Sequence, residues 1–267
     1  MIALLIGAIC VCLIILLMKH KYITQYKYYE SFNNTQNILC YYFYDDNQAM
    51  LKDCFEKSLH NAMPHVELHP IKFNYKSQSS NFGTLDFRNL MLEKVSRVKD
   101  IIESHIPNGT HILISDIDII VYDNFEHLLK LDDDKDILFQ KEHSNGTNDS
   151  INTGFIYLKC SPKTLQLWAE VEQRMKSHSD GAFINEQAII NNIVSQHDIK
   201  WDLFDDSIWA YSNSPMPGKL YLHHANVTTP IENKTSLQLK CRQMIDILNQ
   251  SSLQIKDEII NILSKYL

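Results

Sequence analysis

Asp116 and Asp118 stand one residue apart inside the stretch HILISDIDIIVY, residues 111–122. Ile112–Ile114 and Ile119–Val121 flank the pair, and β-branched runs of this kind read as a buried strand of a parallel or mixed sheet. Carboxylates at the end of such a strand are costly to strip of water, so they need solvent, a partner or a metal. Ligands of open α/β sheets gather beyond the carboxyl ends of the strands. Hard oxygen donors placed there suit Mn2+ or Mg2+ shared with a substrate phosphate. The competing reading makes both residues ordinary end-of-strand acids, solvated or capping the helix that follows.

His223 and His224 are adjacent at a late strand, where a histidine is usually structural and where neighbours face opposite sides. Lys94 lies within the apolar stripe of a predicted amphipathic helix over Thr84–His105, and Arg97 on its edge. Such a lysine either snorkels to water or carries its charge toward an anion. Two other chemistries built on paired aspartates fit less well. A haloacid-dehalogenase phosphatase wants Thr or Val where Ile120 stands, and a polymerase-β-like nucleotidyltransferase wants a Gly-Ser helix start that Glu103–Asn108 lacks.

The elements that must position these residues alternate between strand and helix. Ile38–Tyr44 reads as a strand, Gln48–Met63 as a helix and Val66–Phe73 as a second strand. Beyond the Asp116/Asp118 strand, Ile137–Gln140 and Ile151–Lys159 read as strands bracketing a polar loop, Glu142–Ser150. Ser161–His178 and Asp180–Gln196 read as helices, the first with Pro162 in its opening turn. Ile199–Phe204 and Lys219–His223 are late strands, and Leu237–Leu248 and Leu253–Leu267 are amphipathic helices. The four acids of Asp132–Asp136 read as a solvated turn.

With 267 residues, 45% of them hydrophobic and 21% charged, the chain is long enough for one substantial α/β domain. A net charge of −7 without a basic run leaves no nucleic-acid footprint. Ile2–Met18 is continuously apolar, at about the 17-residue lower limit of a membrane-spanning helix, and predicts a single anchor. Lys19, Lys21 and Lys27 on its carboxyl side favour a cytosolic domain by the positive-inside rule. Sequons at Asn33, Asn108, Asn145, Asn148, Asn226, Asn233 and Asn249 favour the lumen, and the lumen is the expectation. Cys40, Cys54, Cys160 and Cys241 could form disulfides there or remain buried thiols.

Taken in order, five segments resemble the nucleotide-diphospho-sugar transferases. They are Asp116-Ile-Asp118, INTGFIYLK (151–159), Ser161–Thr164 with Trp168, EQAIIN (186–191) and HHAN (223–226). These transferases are glycosyltransferases of the A-type fold, and the group includes plant pectin xylosyltransferases. The resemblance spans Ile38 to Cys241. It implies an α/β fold with a Rossmann-like mixed sheet flanked by helices, here behind an N-terminal transmembrane helix. It also implies sugar transfer from a nucleotide-diphosphate donor, a UDP-sugar above all, to a glycan or glycoprotein acceptor, with retention of anomeric configuration and with Mn2+ or Mg2+.

Carried over by position, Asp118 binds the metal, Asp116 the metal or ribose, and one of His223 and His224 completes the site. Lys94 and Arg97 steady the nucleotide or diphosphate. Gly154 lets the backbone approach the donor sugar, Asn152 bonds its hydroxyls, and Gln187 faces the cleft. Glu186 stands where relatives carry Asp, a catalytic position reached with one more methylene. The domain plan is an anchor (1–18), a stem (19–37), a catalytic domain (38–245) and a C-terminal helix (246–267), with the domain in the Golgi or ER lumen. The alternative is a non-catalytic relative that binds a nucleotide sugar or a protein.

Overall fold

The computed structural model describes residues 38–75, 84–131, 135–144, 147–177, 185–212, 215–226 and 234–267. The expected anchor and stem lie outside these residues, as do Asn33, Asn145 and Asn233. Among the described residues no helix is long and apolar enough to cross a membrane.

The strands are β1 (Leu39–Tyr44), β2 (Glu67–Lys72), β3 (His111–Ser115), β4 (Ile119–Val121), β5 (Ile137–Ser144), β6 (Thr147–Lys159), β7 (Trp201–Leu203), β8 (Ile208–Ala210) and β9 (Leu222–His224). They form one mixed sheet in the order β2-β1-β3-β6-β5-β8-β9-β4, with β7 also paired to β5. The β1–β2 and β1–β3 pairs are parallel, whereas β3–β6, β5–β6 and β4–β9 are antiparallel.

Ile112, Leu113 and Ile114 of β3 are fully buried, as an apolar run at the centre of a covered sheet requires. Helices α2 (Leu85–His105), α3 (Pro162–Ser177) and α4 (Glu186–Ile193) supply Val95, Val98, Ile102, Leu167, Trp168, Val171 and Ile190 to the same core as Ile112, Ile114, Phe139 and Ile156. Alternate residues of β6 turn the other way, where Phe155 meets Phe125 and Phe204 at 5.6 and 5.5 Å. Helix α1 (Ala49–Ala62) closes on β4, where Ser58 Oγ accepts from Val121 N at 3.1 Å. The last helices, α5 (Ser236–Asn249) and α6 (Lys256–Leu263), complete the chain, and the expected boundary at 245/246 falls inside α5.

Several expectations are corrected. The stretch 111–122 is two strands, and residues 116–118 carry the chain from β3 across to the β9 edge. The polar loop expected at Glu142–Ser150 belongs largely to the ladder, since Glu142 pairs with Ser150 and Ser144 with Thr147. An antiparallel hairpin can extend on backbone hydrogen bonds alone, so polarity did not announce it. Asn148 therefore lies on β6. Helix α4 begins at Glu186, capped by Asn185 Oδ1 accepting from Ala188 N, and residues 180–184 of the expected helix lie outside the described set. Strand β8 is not expected from the sequence. Cys40, Cys54, Cys160 and Cys241 are buried free thiols, and burial pushes those of Cys54 and Cys160 up to about 12.

Candidate functional site

Two registers converge on the aspartates. Asp116 N donates to Gly154 O at 2.7 Å, which ties the end of β3 to β6. Asp118 O accepts from Ala225 N at 2.8 Å, and the pairing of Ile119 with His224 sets that imidazole beside Asp118. His224 Nε2 lies 3.3 Å from Asp118 Oδ1 and 3.9 Å from Asp116 Oδ2. One ligand atom from each of the three residues falls within 4.8 Å of the others.

The other imidazole nitrogen decides the proton. His224 Nδ1 lies 2.8 Å from Gln140 Oε1, whose amide nitrogen donates to Ile208 O. The Gln140 carbonyl can only accept, so Nδ1 carries a proton there, and Nε2 is the nitrogen turned toward two carboxylate oxygens. The three residues each offer one potential ligand atom to a shared cation. Two carboxylates and an imidazole tethered through its second nitrogen fit Mn2+ or Mg2+.

The remaining carboxylate oxygens meet lysines. Asp116 Oδ1 accepts from Lys94 Nζ at 2.7 Å, and Asp118 Oδ2 accepts from Lys240 Nζ at 2.5 Å. Burial alone would raise the Asp118 pKa, but the Lys240 ammonium and His224 overcome it and hold the carboxyl far below the usual range. Lys94 does not snorkel. It is 3% exposed, donates to Thr153 O at 3.3 Å and lies 3.7 Å from Glu186 Oε1. Burial would lower its pKa, and Asp116 followed by Glu186 more than offsets that, so it stays charged. Burial raises the pKa of Glu186, which Lys94 only partly offsets, and Glu186 Oε2 has no hydrogen-bond partner.

Beside this centre Glu142 gathers neutral donors. Its Oε1 accepts from Ser212 Oγ and Asn226 Nδ2, both at 3.2 Å, and its Oε2 from Asn152 Nδ2 at 3.4 Å and from Gln187 Nε2. The carbonyl oxygens of the three amides accept backbone N–H groups of Gly154, Thr153 and Ser212. These amides are locked at both ends. All of these groups line one cavity of about 390 Å³, whose wall also includes Phe43, Phe73 and Phe87.

The cavity wall thus includes Lys94, Asp116, Asp118, Asn152, Gly154, Glu186, Gln187 and His224. His223 is not among them. It faces the other side of β9, stacked 5.1 Å from Trp209, fully buried and without a partner on either nitrogen. Arg97 also lies elsewhere, in a separate surface groove with Glu93 3.9 Å away. Three residues along a helix turn a side chain about 60° from Lys94, which suffices to take Arg97 out of the cleft. Gly154 lines the cavity and also makes room for His224. A Cβ there would lie 2.1 Å from His224 Cε1, so its bareness accommodates the imidazole. Lys240, Glu142, Gln140, Ser212 and Asn226 were not singled out as site residues in the sequence. Asn226 was noticed as a sequon, and its amide is already bound to Glu142 and Ser212.

A sequence model of the nucleotide-diphospho-sugar transferases matches residues 48–238. The chain belongs to that family. No curated protein sequence matches. Among solved structures, the galactosyltransferase LgtC in complex with donor and acceptor sugar analogs aligns at a TM-score of 0.54 with 13% identity, over 86% of this chain and 96% of that one. A glycosyltransferase involved in glycosylation of the major capsid of PBCV-1 aligns at 0.52 with 13% identity, over 72% of this chain and 95% of that one. At such identities the likeness is one of fold: the transferase has the mixed sheet of the A-type glycosyltransferases.

Proposed function

We propose that the transferase moves a sugar from a nucleotide-diphosphate donor, a UDP-sugar, to a hydroxyl of a glycan or glycoprotein, with retention of anomeric configuration and with Mn2+ or Mg2+. The observation that carries this is the convergence of Asp116 Oδ2, Asp118 Oδ1 and His224 Nε2 at the carboxyl ends of the strands. A bound divalent ion would supply Lewis-acid neutralisation of the departing diphosphate.

The chain's own residues do the rest. Asp116, Asp118 and His224 would hold the ion, and Gln140 fixes the imidazole. Lys94 and Lys240 stand where charge grows on the leaving group, as preorganised cations. Asn152 and Gln187 each commit one amide hydrogen to Glu142 and retain another for sugar hydroxyls. Glu186, buried against Lys94 and Thr153, is placed to hold Lys94 and to meet the sugar with its unpartnered oxygen. The aromatic rings of Phe43, Phe73 and Phe87 on the cavity wall suit a nucleobase. Anchorage by Ile2–Met18, with this domain in the Golgi or ER lumen, remains part of the reading; the sequons motivate it, with Asn108 and Asn249 exposed as acceptors.

The test is hydrolysis of a panel of UDP- and GDP-sugars with Mn2+, repeated with a chelator and with Asp118→Asn. Turnover that depends on metal and vanishes in Asp118→Asn supports the proposal. Full activity in the variant sinks the metal assignment. Binding of nucleotide sugar without turnover would instead identify a non-catalytic relative.

A further inference from the structure

We infer that Lys240 keeps the Asp116–Asp118–His224 centre poorly receptive to a free divalent cation, so that the cation enters together with the nucleoside diphosphate. The inference rests on the metal-dependent reading above and concerns the order in which that site fills.

The two carboxylates are each divided. Asp116 turns Oδ2 toward His224 Nε2 and Oδ1 to Lys94, and Asp118 turns Oδ1 toward His224 and Oδ2 to Lys240. A cation on the inner atoms would gain those ligands while lying close to two ammonium groups. Its attraction to the aspartates is thereby largely offset, since opposed charges a few ångströms apart act with comparable strength. The other carboxylates on the cavity wall do not restore the balance at the centre. Glu186 faces Lys94, Glu142 is taken up by Asn152, Gln187, Ser212 and Asn226, and neither belongs to the converging group.

The protein supplies three ligand atoms, and hard divalent cations of this class complete their shell with water or substrate phosphate. A diphosphate changes both sides of the account. It brings oxygens for the vacant coordination positions and negative charge that counters the lysines. The ion and the diphosphate should therefore bind with strong positive coupling, and each should raise the affinity of the other equally.

The two lysines are not equivalent. Lys94 is buried, donates to Thr153 O and faces Glu186 as well as Asp116, so it is built into the core of the site. Lys240 comes from α5, its side chain is 16% exposed, and it reaches in from outside the sheet. Removing its charge can therefore alter the site without emptying the core. It acts on the ion through Asp118, and a purely structural role would not move metal affinity upward.

The experiment measures Mn2+ binding to the full chain by calorimetry, with and without UDP, correcting for Mn2+–UDP association in buffer. The native protein should bind Mn2+ about ten-fold or more tightly in the presence of UDP, and Lys240→Met should bind Mn2+ alone about ten-fold more tightly than the native protein. Lys240→Arg, which keeps the charge, should stay close to native. Thermal melting verifies that each variant is folded, and Lys240→Gln repeats the measurement if the Met variant does not fold. Unchanged or weaker binding of free Mn2+ in the neutral variants overturns the inference while leaving the metal site standing. No binding of Mn2+ to any of the proteins, with or without UDP, overturns the metal-dependent reading and this inference with it.

Discussion

Gly154→Ala is a small change whose consequence can be worked from the structure. The added Cβ would lie 2.1 Å from His224 Cε1, 2.8 Å from His224 Nδ1 and 2.9 Å from Asn152 Oδ1. The backbone has little room to retreat. Its neighbour Phe155 is paired with Ser115 on β3, Asn152 is paired with Gln140 on β5, and Gly154 O accepts from Asp116 N. The imidazole must move instead, by about 1.3 Å, to regain ordinary contact at 3.4 Å. It is 3% exposed and tethered to Gln140 at 2.8 Å, so that movement breaks a buried hydrogen bond. Overpacking of this kind costs about 1–3 kcal/mol, a fall in Tm of roughly 2–12 °C for a domain of this size. Metal geometry tolerates only about 0.2 Å, so Mn2+ affinity should drop by about 10–100-fold, as for other disrupted outer-shell contacts. Thermal melting without metal and an Mn2+ titration with UDP measure the two effects separately. Native Mn2+ affinity in a destabilised Gly154→Ala protein would show that His224 moved without being a ligand, and would refute the reasoning.

The paired histidines should respond unequally. His224→Ala should lose Mn2+ affinity, whereas His223→Phe should keep it and melt at or above the native temperature, because a buried imidazole with neither nitrogen bonded costs about 1–3 kcal/mol that phenylalanine avoids. Equal losses in a metal titration would overturn this. Far from the site, Glu172 bridges α2 and α3 through Lys99 at 2.7 Å and Lys176 at 2.8 Å. Burial opposes its ionisation, but hydrogen bonds from Lys176, Lys99 and Ser96 prevail and hold its carboxyl at about 2. The folded value is thus depressed, so its stabilisation is present above the unfolded value, near 4.5, and disappears as pH falls toward 2. The Tm difference between native protein and Glu172→Gln should be full at pH 7 and shrink as acid is added below that upper value; a difference independent of pH counts against the bridge.

The parts of the fold legible in the sequence are those whose burial depends on apolar pattern. Ile112–Ile114, the stripe from Leu90 to Ile102 and the helix around Leu167 and Trp168 each carry a period that only one kind of element satisfies. The illegible parts depend on backbone hydrogen bonds. Strand β8 is three residues long, too short for alternation to register, and the outer arms of the β5–β6 hairpin are polar. Such segments become strands because a partner edge is already present.

The site divides in the same way, but by chemistry instead of period. The Asp116/Asp118 pair and the late histidines were legible because a candidate metal site draws on a short list of donor types, and because their order along the chain resembles that of the nucleotide-diphospho-sugar transferases. Which histidine joins them was set by β9 register, and Gly154 by the packing of that ring against β6. Lys240 was hidden for a different reason. On α5 it is one polar residue of an amphipathic helix, 122 positions from its partner, and nothing nearby in sequence distinguishes it from a solvated lysine. Glu142 was hidden inside a stretch whose polarity suggested a loop, although its carboxylate gathers three amides and a hydroxyl around the cavity. A ligand atom must be of a particular kind and so leaves a mark in the sequence. A residue that sets the charge or orientation of ligands needs only to arrive at the right place, and that place is defined by the assembled sheet.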